Sequence, residues 1–320
     1  MWVSEIRYAT IGCSDLEASL RFWRDVVGFE LLSRTPAGGA GLERAWGLEP
    51  GTGAEVAVLR YAGIATGQLR LVQFTTRSGV HVRTRADDPW AIGIGALDCN
   101  VRDPEGTFRR LRDAGYESEA PHPHYYVIDG LEQSEVVFRT PDHVNLVLVG
   151  AMNYPPAMAR PNLPGDFSAL TVVSQFVRDI DASAKFYGDG LGLELAFDAW
   201  VDDRTRPLIN AMVGIPAHAD LRLAAYRTPG EPDGKTLLLQ TKGIPVTSIA
   251  DRMRPPHLGV VMLSHATDDL DGLRLRLRQI GGTPVTVPGL VPGAGGSVRS
   301  FLARAPGGTM LEFYEEAREQ

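Results

Sequence analysis

The strongest constraint on this chain of 320 residues is that it repeats itself. Residues 15–31 (DLEASLRFWRDVVGFEL) match residues 179–195 (DIDASAKFYGDGLGLEL) without a gap, at an offset of 164, with Asp, Ala, Ser, Phe, Asp, Gly, Glu and Leu in register. A weaker pair, residues 103–115 and 269–281, recurs at an offset of 166. Repeats of this kind mean that one supersecondary unit has been copied, so the local pattern of one copy reads the others. Short apolar runs at 6–12, 96–101, 169–177 and 258–263 have strand length, and each leads to an Asp: Asp15, Asp103, Asp179 or Asp269. An Asp there caps a helix, because its carboxylate accepts an otherwise unpaired N–H of the first turn. Leu16, Leu20, Trp23 and Val27 then line one helical face, and Gly28 supplies the stop, as Gly115, Gly192 and Gly281 do in the other copies. Alternating strand patterns follow: 30–34, 55–61 and 69–75 in the first copy, and 135–140 and 144–149 in the second. Each module reads as strand, helix, three strands. The Pro-rich stretch 151–165 (AMNYPPAMARPNLPG) separates two halves, 1–150 and 166–320, each expected to be a cup made from its own two modules. Segments 39–48 and 206–214 interrupt the strands at matching places and read as short helical insertions roofing a cavity.

Composition narrows the function. A net charge of −7 is the wrong sign for neutralising a phosphate backbone, which argues against a nucleic-acid partner. The N-terminal residues lack a signal peptide's basic stretch and apolar core, and no segment has the roughly 18 uninterrupted apolar residues of a membrane span. Two cysteines, Cys13 and Cys99, make no disulfide framework and no CxxC. A cytoplasmic protein is expected, with a small molecule as partner and a homodimer allowed. No catalytic-triad order, P-loop or dinucleotide fingerprint is present.

The Asp-capped helix with its Ala-Ser and aromatic signature, the Gly-aliphatic-Glu-Leu exit and the three strands, in four copies over nearly the whole chain, resemble the vicinal oxygen chelate superfamily. That superfamily includes glyoxalase I, extradiol dioxygenases and the bleomycin resistance proteins. The resemblance implies an α+β fold in which four βαβββ modules pair into two half-open β-barrel cups. It also implies a divalent metal held by His and Glu from the first and last strands of paired modules. The first-strand positions, about seven residues before the capping Asp, fall here on Tyr8, Ala96, Val172 and Met262. The last-strand positions fall on Arg70, Val147, Arg222 and Glu312. None is a histidine, and a guanidinium would repel a metal ion. No cofactor is therefore expected, with Fe, Mn, Ni or Zn at other positions left open.

Several residues could carry chemistry in place of a metal. Arg70 and Arg222, each between outward Leu neighbours, could anchor a carboxylate or enolate, or could simply pair with acids on a strand face. Glu312, expected to share a cup with Arg222 and Met262, could be a general base with a raised pKa, or half of a buried ion pair. His122 and His124, with Tyr125 and Tyr126 beside them, could act as acid and base, ligate a metal, or form a solvent-facing turn. Asp98 and Asn100 share a strand face with Ala96, and with Tyr8 they suggest a wet, ligand-bearing first cup or buried structural hydrogen bonds. His81, His257 and His265 are weaker candidates, and His143 stands at a turn where the resembled family has glycine. The expected function is proton abstraction, of isomerase or lyase type, on a small oxygenated compound that is aromatic or carboxylate-bearing. The alternatives are a ring-cleaving dioxygenase with a relocated metal, or a binding protein of the resistance type.

Overall fold

The computed structural model describes residues 2–128, 131–153, 161–293 and 295–315. Module one contains β1 (Ile6–Gly12), α1 (Leu16–Leu20, continued by a π-helical turn, Arg21–Val27), β2 (Glu30–Ala37), α2 (Ala40–Trp46), β3 (Ala54–Tyr61) and β4 (Ile64–Phe74). Module two contains β5 (Gly93–Val101), α3 (Pro104–Asp113), β6 (Glu117–Ser118), β7 (His124–Ile128), β8 (Leu131–Arg139) and β9 (Asn145–Asn153). Module three contains β10 (Phe167–Phe176), α4 (Ile180–Lys185, continued by a π turn, Phe186–Gly190), β11 (Glu194–Trp200), α5 (Arg206–Val213), β12 (Asp220–Arg227) and β13 (Lys235–Lys242). Module four contains β14 (Gly259–Thr267), α6 (Leu270–Leu277), β15 (Thr283–Pro284), β16 (Gly289–Gly293), β17 (Gly296–Arg304) and β18 (Met310–Glu315).

The four Asp caps form as their chemistry requires. Asp15 accepts from Ala18 N–H, Asp103 from Gly106, Asp179 from Asp181 and Ala182, and Asp269 from Gly272. Gly28, Gly115, Gly192 and Gly281 all have φ between 82° and 99°, the left-handed conformation that ends a helix at low cost. Both helical insertions are present, as α2 and α5. The first three residues of the Pro-rich stretch extend β9, and 154–160 lie outside the described residues.

The modules do not pair in chain order. One open sheet of nine strands runs β15-β17-β18-β14-β1-β4-β3-β2, with β16 on β17, and joins modules one and four. The other runs β11-β12-β13-β10-β5-β9-β8-β6, with β7 on β8, and joins modules two and three. The central seams are antiparallel, Tyr8 opposite Ser264 in the first and Asp98 opposite Val172 in the second. The expectation that each half forms its own cup is therefore corrected: each cup takes one module from each half. The reason lies in the two crossover segments, which zip onto each other. His81 bridges Leu258 and Ile92 bridges Ser248, with Val82 N–H on Leu258 O and Ile92 N–H on Thr247 O. Buried Arg83 ties that strap together through the carbonyls of Asp88, Ala91 and Ile94. At the junction of the sheets, Gly67 lies so close to Leu170 that a Cβ would sit 2.1 Å from its carbonyl oxygen. Only glycine permits that approach.

Two apolar clusters result. The larger runs through the helix-covered faces of both sheets and includes the inside of the first cup, with Tyr8, Trp46 and Met262. The smaller lines the second cup, where Phe176, Leu221 and Leu239 meet Ile209 and Met212 of α5. Among the described residues no helix is long and apolar enough to cross a membrane.

Candidate active site

Tyr8, Arg70, Met262 and Glu312, assigned to different cups by chain order, converge inside the first one. Arg70 Nη1 lies 2.7 Å from Glu312 Oε2, and both side chains are 0% exposed. Glu312 also accepts from Ser264 at 2.7 Å, Trp46 Nε1 at 2.9 Å and Ser300 at 3.0 Å. Burial alone would raise its pKa, but the Arg70 charge and these donors hold it below the ordinary carboxylate value. Glu312 is thus an ionised, fully occupied acceptor rather than a raised general base. The Arg70 guanidinium stacks over the rings of Tyr8 at 4.8 Å and Trp46 at 5.7 Å. Its Nε and Nη2, with Thr10 Oγ1 on the next strand, have no hydrogen-bond partner. Helix α2 packs on β16 and β17 and drives Trp46 onto the pair. The first cup is filled.

Arg222 corrects a second expectation. Thr10 is opposite Arg70 in the first sheet, and Ser174, at the repeat offset of 164, is opposite Leu237 in the second. Leu237 is therefore the counterpart of Arg70, and Arg222 belongs to the neighbouring strand β12. Its side chain lies on the helix side of the sheet, bonded to Asp198 at 2.7 Å and 2.8 Å and to Asp181 at 2.8 Å. Module one builds the same knot with Arg34 between Glu17 and Glu55, and module four with Arg299 between Asp271 and Glu315. Asp198 stands at the offset of 164 from Arg34, so cation and acid have exchanged strands while the contact has persisted. Tyr125 plays this part in module two: its hydroxyl donates to Glu105 on the outer face, away from the cup.

The second cup is different inside. Asp98 and Asn100 of β5 face it, and across β9 the register leads from Asp98 through Val147 to Val137 and from Asn100 through Val149 to Glu135. His124 lies directly opposite Glu135 and Tyr126 opposite Gln133, so all four share the cup face. Gln133 Nε2 donates to Tyr126 Oη at 2.6 Å and to Glu135 Oε1 at 3.2 Å. Burial raises the Glu135 carboxyl to about 7, against a small lowering by a hydrogen bond from Tyr126. Asp98, 7% exposed, is also pushed well up by burial and then by the Glu135 charge. Its one donor is the Ser174 hydroxyl, at 3.2 Å and 3.5 Å from its two oxygens. Burial and then neighbouring His122, its ring 5.9 Å away, lower the pKa of His124. Gln133, Glu135, Val149, Val172 and Leu237 on this face are all partly exposed, so solvent reaches the floor of the cup. Helix α5 packs on β7, β8 and β12 and roofs it.

Glu135 and Gln133 lie on β8, a strand that carries none of the ligand positions the resemblance assigns, so that pattern does not single them out. The alternation of Gln133, Glu135 and Val137 along β8 carried the available signal. The lesser histidines resolve plainly. His265 is buried, with Nδ1 on Ser4 O, and His257 Nδ1 lies on Arg252 O. His143 has φ 59°, the left-handed conformation a glycine would take there.

The positions that the resemblance assigns to metal ligands hold Tyr8, Arg70, Met262 and Glu312 in the first cup and Ala96, Val147, Val172 and Leu237 in the second. The one carboxylate among them is bonded to a guanidinium, so this donor set does not fit a divalent cation. Among the described residues no group of three His, Cys, Asp or Glu is placed to hold one.

Comparison with known proteins agrees with the architecture. Glyoxalase I from Zea mays superposes with a TM-score of 0.63 at 16% identity, covering 97% of this chain and 92% of that one. A putative dioxygenase from Bacillus subtilis superposes at 0.56 and 14%, covering 98% and 86%. No curated protein sequence matches. The model of the Glyoxalase/Bleomycin resistance protein/Dioxygenase superfamily matches twice, over residues 5–148 and 169–313, and with four modules in two open cups the chain belongs to that superfamily.

Proposed function

We propose that this protein is a small-molecule enzyme whose second cup moves a proton on an oxygenated substrate, in an isomerase or lyase type of reaction. The observation that supports this best is Glu135, a carboxyl raised to about 7, opposite His124 on a face that solvent reaches. A base titrating near neutrality is ionised at working pH yet strong enough to accept a proton from carbon. Glu135 takes the proton from a carbon next to a carbonyl, the electron pair moves onto the oxygen, and the imidazole N–H of His124 stabilises that oxygen by hydrogen bonding. In an isomerase reaction a proton passes by way of His124 from the substrate hydroxyl to the former carbonyl oxygen while Glu135 returns its proton to the neighbouring carbon. In a lyase reaction the enolate re-forms the carbonyl, expels a leaving group from the β carbon, and Glu135 gives its proton to that group. Tyr126 and Gln133 hold the Glu135 carboxyl in place. Arg70, Glu312, Tyr8 and Met262 have no part in this reading, because they close the other cup.

The test is deuterium uptake from heavy water into a panel of hydroxyketones and other oxygenated carbon acids, followed by NMR. Wild-type protein is expected to catalyse exchange with a rate that rises through about pH 7, and Glu135→Gln to lose it by about 100-fold or more while remaining folded. If Glu135→Gln exchanges at the wild-type rate, the assignment fails. If ligands bind and none exchanges, the protein is a binding member of the superfamily.

A further inference from the structure

We infer that the second cup selects hydrophobic amines: compounds with an apolar ring or chain and a protonated amino group, the amino group seated on Asp98. This rests on reading the second cup as the ligand site and adds the identity of what it holds.

The cup is divided by module. Module three contributes Phe176, Leu221, Leu223, Leu237 and Leu239, closed over by Ile209 and Met212 of α5, an apolar wall on which Ser174, Thr241 and Lys235 are the polar groups. Module two contributes Asp98, Glu135, Gln133, Tyr126 and His124. A ligand that fills this space must be apolar at one end and polar at the other. The polar end is defined by what the cup lacks. Arg222, the arginine that would have received a carboxylate, is on the opposite face of the sheet. Lys235 shares the cup face beyond Val172, about 10 Å from Asp98 by strand spacing; its ammonium donates to Pro232 O, and its charge favours the ionised Asp98 less than burial and the Glu135 charge disfavour it. His124 is held toward its neutral form, and Tyr126 is uncharged. Among the described residues, therefore, no cation is hydrogen-bonded to Asp98 or Glu135.

Asp98 also has acceptor capacity to spare. An ionised carboxylate offers about four lone-pair sites, and the single Ser174 O–H can serve one of them. An incoming ammonium supplies up to three donors and the missing charge, whereas a carboxylate or phosphate would meet two acids of its own sign. The first cup gives the internal contrast, since there Glu312 already holds its cation in Arg70. With the amine on Asp98, a carbonyl or hydroxyl further along the ligand can lie one register row away, beside Glu135 and His124.

Three probes of similar size decide the matter: 2-phenylethylamine, 2-phenylethanol and 3-phenylpropionate, titrated calorimetrically into wild-type protein at pH 8. The amine is expected to bind about tenfold more tightly than the alcohol, and the carboxylate more weakly than either. Asp98→Asn should bring amine and alcohol to equal affinity, with folding checked by thermal denaturation. Equal binding of all three, a preference for the carboxylate, or no binding at millimolar concentration overturns the inference; the wild-type ratios alone suffice should Asp98→Asn not fold. The proton-transfer reading fails separately. Lost exchange with the amine preference intact removes the enzyme, and intact exchange without the preference removes the amine.

Discussion

The two cups have the same strand order, the same antiparallel seam and the same helical insertion as a roof, yet one is closed by a buried ion pair and the other stays open to solvent. In the first, the inward acid Glu312 meets Arg70, two hydroxyls and an indole N–H, and none of these groups reaches solvent. In the second, the inward acids Asp98 and Glu135 accept hydrogen bonds only from neutral donors among the described residues, the Lys235 charge acts on Asp98 from beyond Val172, and the floor around them stays open. A buried charge with a complete set of partners is structural; one left without a counter-ion is chemically poised. The comparison teaches that two copies in a duplicated fold can differ most in how completely their inward acids are paired, whatever residue type stands at an inherited position.

The largest effect expected from breaking this contrast comes from Arg70→Ala, which strands Glu312 as an unpaired buried charge. It should cost about 3–5 kcal/mol in chemical denaturation, while Arg70→Met with Glu312→Leu should recover most of the loss. A smaller and pH-dependent effect belongs to Glu135. Its folded pKa is raised from 4.5 to about 7, so the native state binds the proton more tightly, and the stabilisation is complete below about 4.5 and lost as pH rises through about 7. Wild-type stability should therefore fall relative to Glu135→Gln across that window, by on the order of 2–3 kcal/mol in denaturant midpoints measured at pH 4.5 and pH 8. A rise across the window would contradict the desolvated cup. The smallest effect is that of Arg222→Ala, which removes ion pairs on the outer face to exposed Asp181 and to Asp198, whose side chain is half-buried. It should change stability by no more than about 1 kcal/mol and leave probe binding unchanged. A loss of ligand affinity in that variant would place the guanidinium back inside.

Much of the fold was legible because its signals are local. An Asp three residues before the N–H it caps, a Gly at a helix stop and a strand alternation of period two act within a few residues, and four copies amplified them. Of the residues singled out, Tyr8, Arg70, Met262 and Glu312, named from the resemblance, lie together in the first cup, and Asp98 and His124, named from strand alternation and the His-Tyr cluster, lie on the face of the second. Arg222 misled because Leu-Arg-Leu occurs on β12 where the matching strand is β13, and short alternating runs do not show which strand of a module they belong to. Shifting an inference by one strand, like shifting register by one residue, turns a side chain to the wrong face.

By itself the sequence determined the modules: how many there are, where each helix is capped and stopped, and which residues alternate along each strand. Tertiary structure decided which modules share a sheet, because four near-equivalent edges can pair in more than one way until the crossovers strap onto each other. It also decided which acid is neutralised. Arg70 and Trp46 reach Glu312 from 242 and 266 residues away, whereas among the described residues Glu135 is bonded to no cation, a difference made by long-range packing.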